Sequence, residues 1–141
     1  PTICPLMNVE MSKLNKWIEN EGLSSHFQFL SFSIDPKNDT PSALQAYKKR
    51  YCDSCKNWDF LTGDEEKTHE LGIKKFKVFA GKNEEAEGGY AHSGAFSLVD
   101  KSQHVRGVYN ITDVNGDVDK NEYNRLKNDI NKLLHYEYKI Q

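Results

Sequence analysis

The side chains in this chain best suited to metal or redox chemistry are three cysteines, Cys4, Cys52 and Cys55, and five histidines. Cys4 stands out because Pro5 follows it and an amphipathic run follows Pro5. Pro5 suits the first position of a helix, where its missing N–H breaks no bond and its fixed φ is already helical. That places Cys4 at the N-cap, where unpaired N–H groups and the positive end of the helix dipole favour thiolate over thiol. A sulfur so placed is poised for disulfide exchange or for a soft metal. A small buried residue capping a helix explains the same spacing about equally well.

The other candidates are weaker. Cys52-Asp53-Ser54-Cys55 has the C-x-x-C spacing of redox and metal sites. It follows a helix that leads away from Cys4, so a remote disulfide or an idle pair outweighs a second catalytic centre. A zinc site would need two more ligands, and the sequence offers no clear ones. Asp113 to Asp119 resembles a calcium loop, but its sixth position is Val118 where glycine is needed, and its twelfth is Asn124 instead of glutamate. Met7 and Met11 could be copper ligands, yet their helical spacing on an apolar face favours packing. His26, His69, His104 and His135 are scattered and carry no assigned role.

Composition narrows the functional classes. With 141 residues the chain is long enough for one domain with a real core. Nineteen basic and 21 acidic side chains give a net charge of −2 with no basic run, which argues against a nucleic-acid partner. The longest apolar stretches, such as Phe27 to Ile34, have the length of a strand and not of a membrane span. Three cysteines are an odd count, which implies a working free thiol or a partner not in view.

The elements that must position Cys4 follow from periodicity. Met7, Met11, Leu14 and Ile18 recur at helical spacing, opposite Asn8, Glu10, Lys13, Asn15 and Glu19, and Gly22 suits the C′ position. Phe27 to Ile34 is apolar on both faces, as in a buried parallel strand. Thr40 or Asp39 caps a helix with Pro41 just inside, carrying Leu44, Tyr47 and Tyr51. A short strand and turn span Asn57 to Gly63, and Asp64-Glu65-Glu66 opens a third helix holding Leu71 and Ile73. Gly81 to Gly89 reads as a mobile polar loop. Ala91 to Asp100 follows as one strand with His92, Gly94, Phe96 and Leu98 on a shared face, and Lys101-Ser102 turns into a partner strand over 104–109. The last helix carries Tyr123, Leu126, Ile130, Leu133 and Leu134.

This order predicts an α/β fold: a mostly parallel sheet with helices on both faces and a C-terminal antiparallel hairpin. With a reactive cysteine at the first helix's start, the plan is thioredoxin-like. A helix start at the first residues also predicts a core strand upstream, making 1–141 a single, N-terminally incomplete domain. Without that strand, the edge beside Phe27–Ile34 would need upstream residues or a neighbouring chain to cover it. A stable monomer of residues 1–141 alone would contradict this.

Four landmarks, in order, resemble the Sco (SenC) family of copper chaperones. They are Thr2-Ile3-Cys4-Pro5, matching the end of a C-x-x-x-C-P motif; Ser33-Ile34-Asp35-Pro36 with Asp39-Thr40-Pro41 and Tyr47; Trp58 to Gly63; and His92-Ser93 leading to Leu98-Val99-Asp100, Arg106-Gly107 and Tyr109. The resemblance implies a thioredoxin fold and a copper site built from Cys4, as the second motif cysteine, and His92. The first motif cysteine would immediately precede Pro1. It further implies copper delivery to a cytochrome oxidase copper-site subunit or another cuproprotein, and a membrane tether upstream facing an oxidising compartment such as the periplasm. Two thiolates and an imidazole suit both Cu(I) and Cu(II). The alternative is a thiol–disulfide oxidoreductase in which Cys4 is the redox residue.

Overall fold

The computed structural model describes residues 3–78, 80–82, 84–85, 90–92, 94–113 and 115–140, with the backbone alone for 3–4, 80–82 and 90–92. Helix α1 (Ile3–Asn20) buries Met7, Leu14 and Ile18 along the expected stripe. It ends as the Gly22 signal predicts. Gly22 has φ +73°, its N–H donates to Glu19 O (2.9 Å), and the N–H of Leu23 donates to Ile18 O (3.0 Å). This is the paired bonding of a Schellman cap, with buried Ile18 and Leu23 supplying its apolar contact.

Two residues read as polar-face are in fact buried: Glu10 is 4% exposed and Asn15 2%. At 3.6 residues per turn both lie within about 80° of the Met7–Leu14–Ile18 line, so the edges of the apolar arc include them. Their polar atoms are satisfied. Glu10 accepts from Lys13 Nζ (2.7 Å), and Asn15 bonds Asn57 and the cysteine sulfurs described below.

Strand β1 (Phe29–Phe32) pairs in parallel with β2 (Trp58–Leu61), with Phe29 opposite Trp58. The strand is shorter than the apolar run Phe27–Ile34, and burial on both faces is incomplete. Phe29 and Trp58 pack into the core with α1, and Phe32 meets Phe76 at 5.6 Å, while Leu30 stays 43% exposed. Between the strands runs α2 (Pro41–Cys52), capped by Thr40, whose Oγ1 accepts from the N–H of Ala43. Asp39, the other candidate cap, instead accepts from Ser33 Oγ (2.6 Å). Helix α3 (Glu65–Leu71) is capped by Asp64 and runs on through a π-turn to Phe76.

The stretch read as a loop begins with a strand. β3 (Ala80–Lys82) pairs antiparallel with β4 (Tyr90–His92), while residues 83 and 86–89, also assigned to the mobile loop, lie outside the described residues. The predicted hairpin is present as β5 (Ala95–Val99) and β6 (Val105–Asn110). Among the described residues, β1 and β5 each pair along one edge. Helix α4 (Lys120–Asn131), capped by Asp119 and prolonged by a π-turn to Glu137, lays Leu126, Ile130, Leu133 and Leu134 into the same core as α1. The Tyr123 side chain of α4 reaches the α1 backbone, its Oη donating to Glu10 O (3.5 Å).

Candidate metal site

Cys4 sits inside the first turn of α1, one residue past the helix start at Ile3, and not at the N-cap predicted from Pro5. Proline is tolerated there because the first four N–H groups of a helix have no intrahelical partner to lose. The N-terminal end of the helix dipole acts on this turn. The side chains of Cys4 and His92 lie outside the described residues.

His92 ends β4, its backbone opposite Ala80. The predicted single strand from Ala91 to Asp100 is therefore two strands, β4 ending at His92 and β5 beginning at Ala95. The interruption has a local cause at Gly94. Its carbonyl accepts from the N–H of Thr112 (3.0 Å), and the position a Cβ would take on Gly94 lies against Thr112 Oγ1 and 2.7 Å from Thr112 O. Only glycine allows so close an approach of two backbones.

Thr112 also reaches the cysteine's helix. It is 5% exposed, and its Oγ1 donates to Met7 Sδ at 3.6 Å. Met7 lies three residues after Cys4, on the same helix face. The contacts Met7–Thr112–Gly94 thus join the turn beside Cys4 to the residue two beyond His92. The following loop adds to this junction, since Leu6 lies 3.7 Å from where a Cβ on Gly116 would be. Nothing in the sequence marks Thr112 for this role, because the contact spans 105 positions.

The remaining candidates fall elsewhere. Cys52 and Cys55 form a disulfide, with Cys55 buried against Asn15 of α1. Asn15 is eleven residues from Cys4, about 16 Å along the helix at 1.5 Å per residue. The calcium-like loop uses its carboxylates on its own backbone. Asp113 Oδ1 accepts from the N–H groups of Asn115 and Asp117, and Asp119 Oδ1 from those of Asn121 and Glu122. His69 Nε2 lies 2.9 Å from Ile34 O and His135 Nδ1 2.6 Å from Ile140 O, both structural contacts.

The sequence model of the SCO1/SenC family matches residues 1–124. A SCO1 protein homolog of Bacillus subtilis (strain 168) is 37% identical over 110 residues, covering 77% of this chain and 55% of that protein. The chain therefore spans about half the length of the curated relative it matches. Among solved structures, a SCO1/SenC family lipoprotein from Bacillus anthracis str. Ames is 30% identical with a TM-score of 0.76, covering 93% of this chain and 73% of that one. A structure of BsSco, described as a member of the Sco family of cytochrome c oxidase assembly proteins in which a disulfide switch was identified, is 30% identical with a TM-score of 0.68. It covers 86% of this chain and 67% of that one. Arabidopsis thaliana ScoI, solved with copper bound, is 25% identical with a TM-score of 0.62, covering 90% of this chain and 75% of that one.

Proposed function

The chain belongs to the SCO1/SenC family, and from that premise we propose that it is a copper-binding assembly factor. It takes up copper through Cys4, as the second cysteine of a C-x-x-x-C motif, and through His92. It passes the ion to the copper site of a cytochrome oxidase or another cuproprotein. Copper is cargo here, so the site must both hold it and release it. Thiolate sulfur is a soft donor that holds Cu(I), and an imidazole nitrogen extends the set to Cu(II).

The single observation that carries this function is the Met7–Thr112–Gly94 junction. It supports a site shared by two segments that lie 88 positions apart in sequence, one bearing Cys4 and the other His92. A helix N-terminus favours a thiolate over a thiol, and the break at Gly94 separates the His92 strand from β5. The copper-bound Arabidopsis relative and the family's described role in oxidase assembly support the same cargo and destination.

Copper titration of the protein with and without His92→Ala and Cys4→Ser tests this. Each variant is expected to weaken binding by about tenfold or more, given that losing even an outer-shell partner of a metal site costs that much. Unchanged affinity in both would overturn the assignment.

The disulfide switch identified in BsSco favours a second reading, a thiol–disulfide oxidoreductase that reduces a cuproprotein's cysteines through Cys4. Reductase activity lost in Cys4→Ser yet indifferent to His92→Ala would select it. For location we propose a membrane-tethered protein facing an oxidising compartment such as the bacterial periplasm. The lipoprotein relative and the Cys52–Cys55 disulfide support this. Among the described residues, no helix is long and apolar enough to cross a membrane.

A further inference from the structure

We propose that Cys52 and Cys55 form a second thiol–disulfide exchange centre, in which Cys52 is the sulfur attacked and Cys55 is the thiolate released onto the amide of Asn15. The reductant is a dithiol, on a protein or a small molecule. The proposal needs neither Cys4 nor His92 and is independent of copper.

Access picks out one sulfur. Cys52 ends α2 and is half-buried, while Cys55 is 6% exposed and walled in by the core. An incoming thiolate therefore meets Cys52 first. Electrostatics picks out the same direction. Asn15 Nδ2 lies 2.8 Å from Cys55 Sγ and 3.9 Å from Cys52 Sγ, so the amide serves the buried sulfur. Its other end is fixed by Asn57, whose Nδ2 donates to Asn15 Oδ1 (3.0 Å). A disulfide sulfur accepts a hydrogen bond weakly and a thiolate accepts strongly, so this bond strengthens as the S–S bond breaks. Cys52 at the C-terminal end of α2 faces the negative end of the dipole and is the poorer place for a thiolate.

The Asn15 amide ties Asn57 to α1 and, at its other end, lies on the sulfur that leaves. Burying Asn15 at 2% exposure costs free energy that a hydrocarbon side chain would not incur, and only its partners offset that cost. Placing the donor on the leaving sulfur gives the burial a chemical purpose.

A thiolate of the dithiol attacks Cys52 Sγ, forming a mixed disulfide, and the electron pair of the broken bond leaves on Cys55 Sγ. The dithiol's second thiolate then attacks its own sulfur in the mixed disulfide, closing the dithiol's disulfide. Cys52 is released as a thiolate and takes a proton from water. Two electrons pass from the dithiol to the cysteine pair, and the reverse sequence oxidises a partner dithiol.

The test uses dithiothreitol on the folded protein, quenched at intervals by alkylation and digested with trypsin. Cleavage after Arg50 and Lys56 releases Tyr51–Lys56, which contains both cysteines and no others. Reduction is expected to outpace global unfolding, measured in parallel by hydrogen exchange, by about a hundredfold or more. Asn15→Leu is expected to slow it about tenfold relative to that variant's own unfolding rate, with Asn57→Ala between. If Asn15→Leu does not fold, Asn57→Ala decides. Reduction that tracks unfolding, or variants that react at the wild-type rate, would overturn the proposal and leave a structural clasp.

Discussion

Thr112 shows how much one buried hydroxyl can organise. Its N–H, carbonyl and side chain all face Gly94 or Met7, so two sequence-remote segments share one residue's contacts. Thr112→Val keeps the shape and removes the donor to the Met7 sulfur, and should cost about 1 kcal/mol in urea unfolding. Gly94→Ala asks for more, because its new Cβ meets a backbone carbonyl that cannot rotate away. A loss of about 1–3 kcal/mol is expected, the range for overpacking a close contact. A smaller loss for Gly94→Ala than for Thr112→Val would show that the two backbones are not pressed together. Neither residue is a metal donor in the proposed site. A fall in copper affinity for Gly94→Ala with His92 and Cys4 intact would therefore report on how the segments are held.

At the scale of elements, the helices were legible because their signals are local. Thr40 capping with Pro41 inside, Asp64 before Glu65-Glu66, and Gly22 after the Ile18 stripe are decided within a few residues of chain. Thr40→Ala should cost about 1 kcal/mol, with Thr40→Ser recovering most of it, because the cap is one hydrogen bond from a side-chain oxygen. Gly22→Ala should cost about 1–2 kcal/mol for forcing a Cβ into the left-handed region. Chemical denaturation measures both, and a neutral Gly22→Ala would rule out the φ of +73°. The strands were less legible. β3 hides in a polar, glycine-rich stretch because its only signal is pairing with β4. The split at Gly94 arises from residue 112, beyond any local window. Asn15 and Glu10 look like surface residues because a helical wheel does not show which flank a neighbour will cover. Of the candidate site, Cys4 carried a physical signal in its helix start, whereas His92 came through the family motif together with its place in the expected fold.

The whole molecule is closed at its far side by charge as well as apolar contact. Arg106 of β6 forks onto both carboxylate oxygens of Glu137 (2.7 and 2.8 Å) and reaches Asp100 at 3.3 Å. The Arg106 guanidinium holds the Glu137 carboxyl below the usual range, and the backbone N–H of His104 does the same for Asp100, helped by Arg106. Folded values below unfolded ones mean stability that is complete above the ordinary carboxylate range and lost as pH falls through the lowered values. Urea midpoints followed from about pH 7 to about pH 2 should therefore drop in acid. Glu137→Gln should lower the neutral midpoint and flatten that drop. An acid limb unchanged by Glu137→Gln would place the titrating groups elsewhere.

The match to the family's sequence model ends at residue 124, yet Leu126, Ile130, Leu133 and Leu134 come after it. Those four side chains are the lid on hydrocarbon that α1 and β6 would otherwise show to water. A protease nick just beyond Asn124 would strip that lid and leave sticky, aggregation-prone remnants. Anyone trimming the gene for expression should keep the chain through at least Ile140, whose N–H is bonded to Leu134.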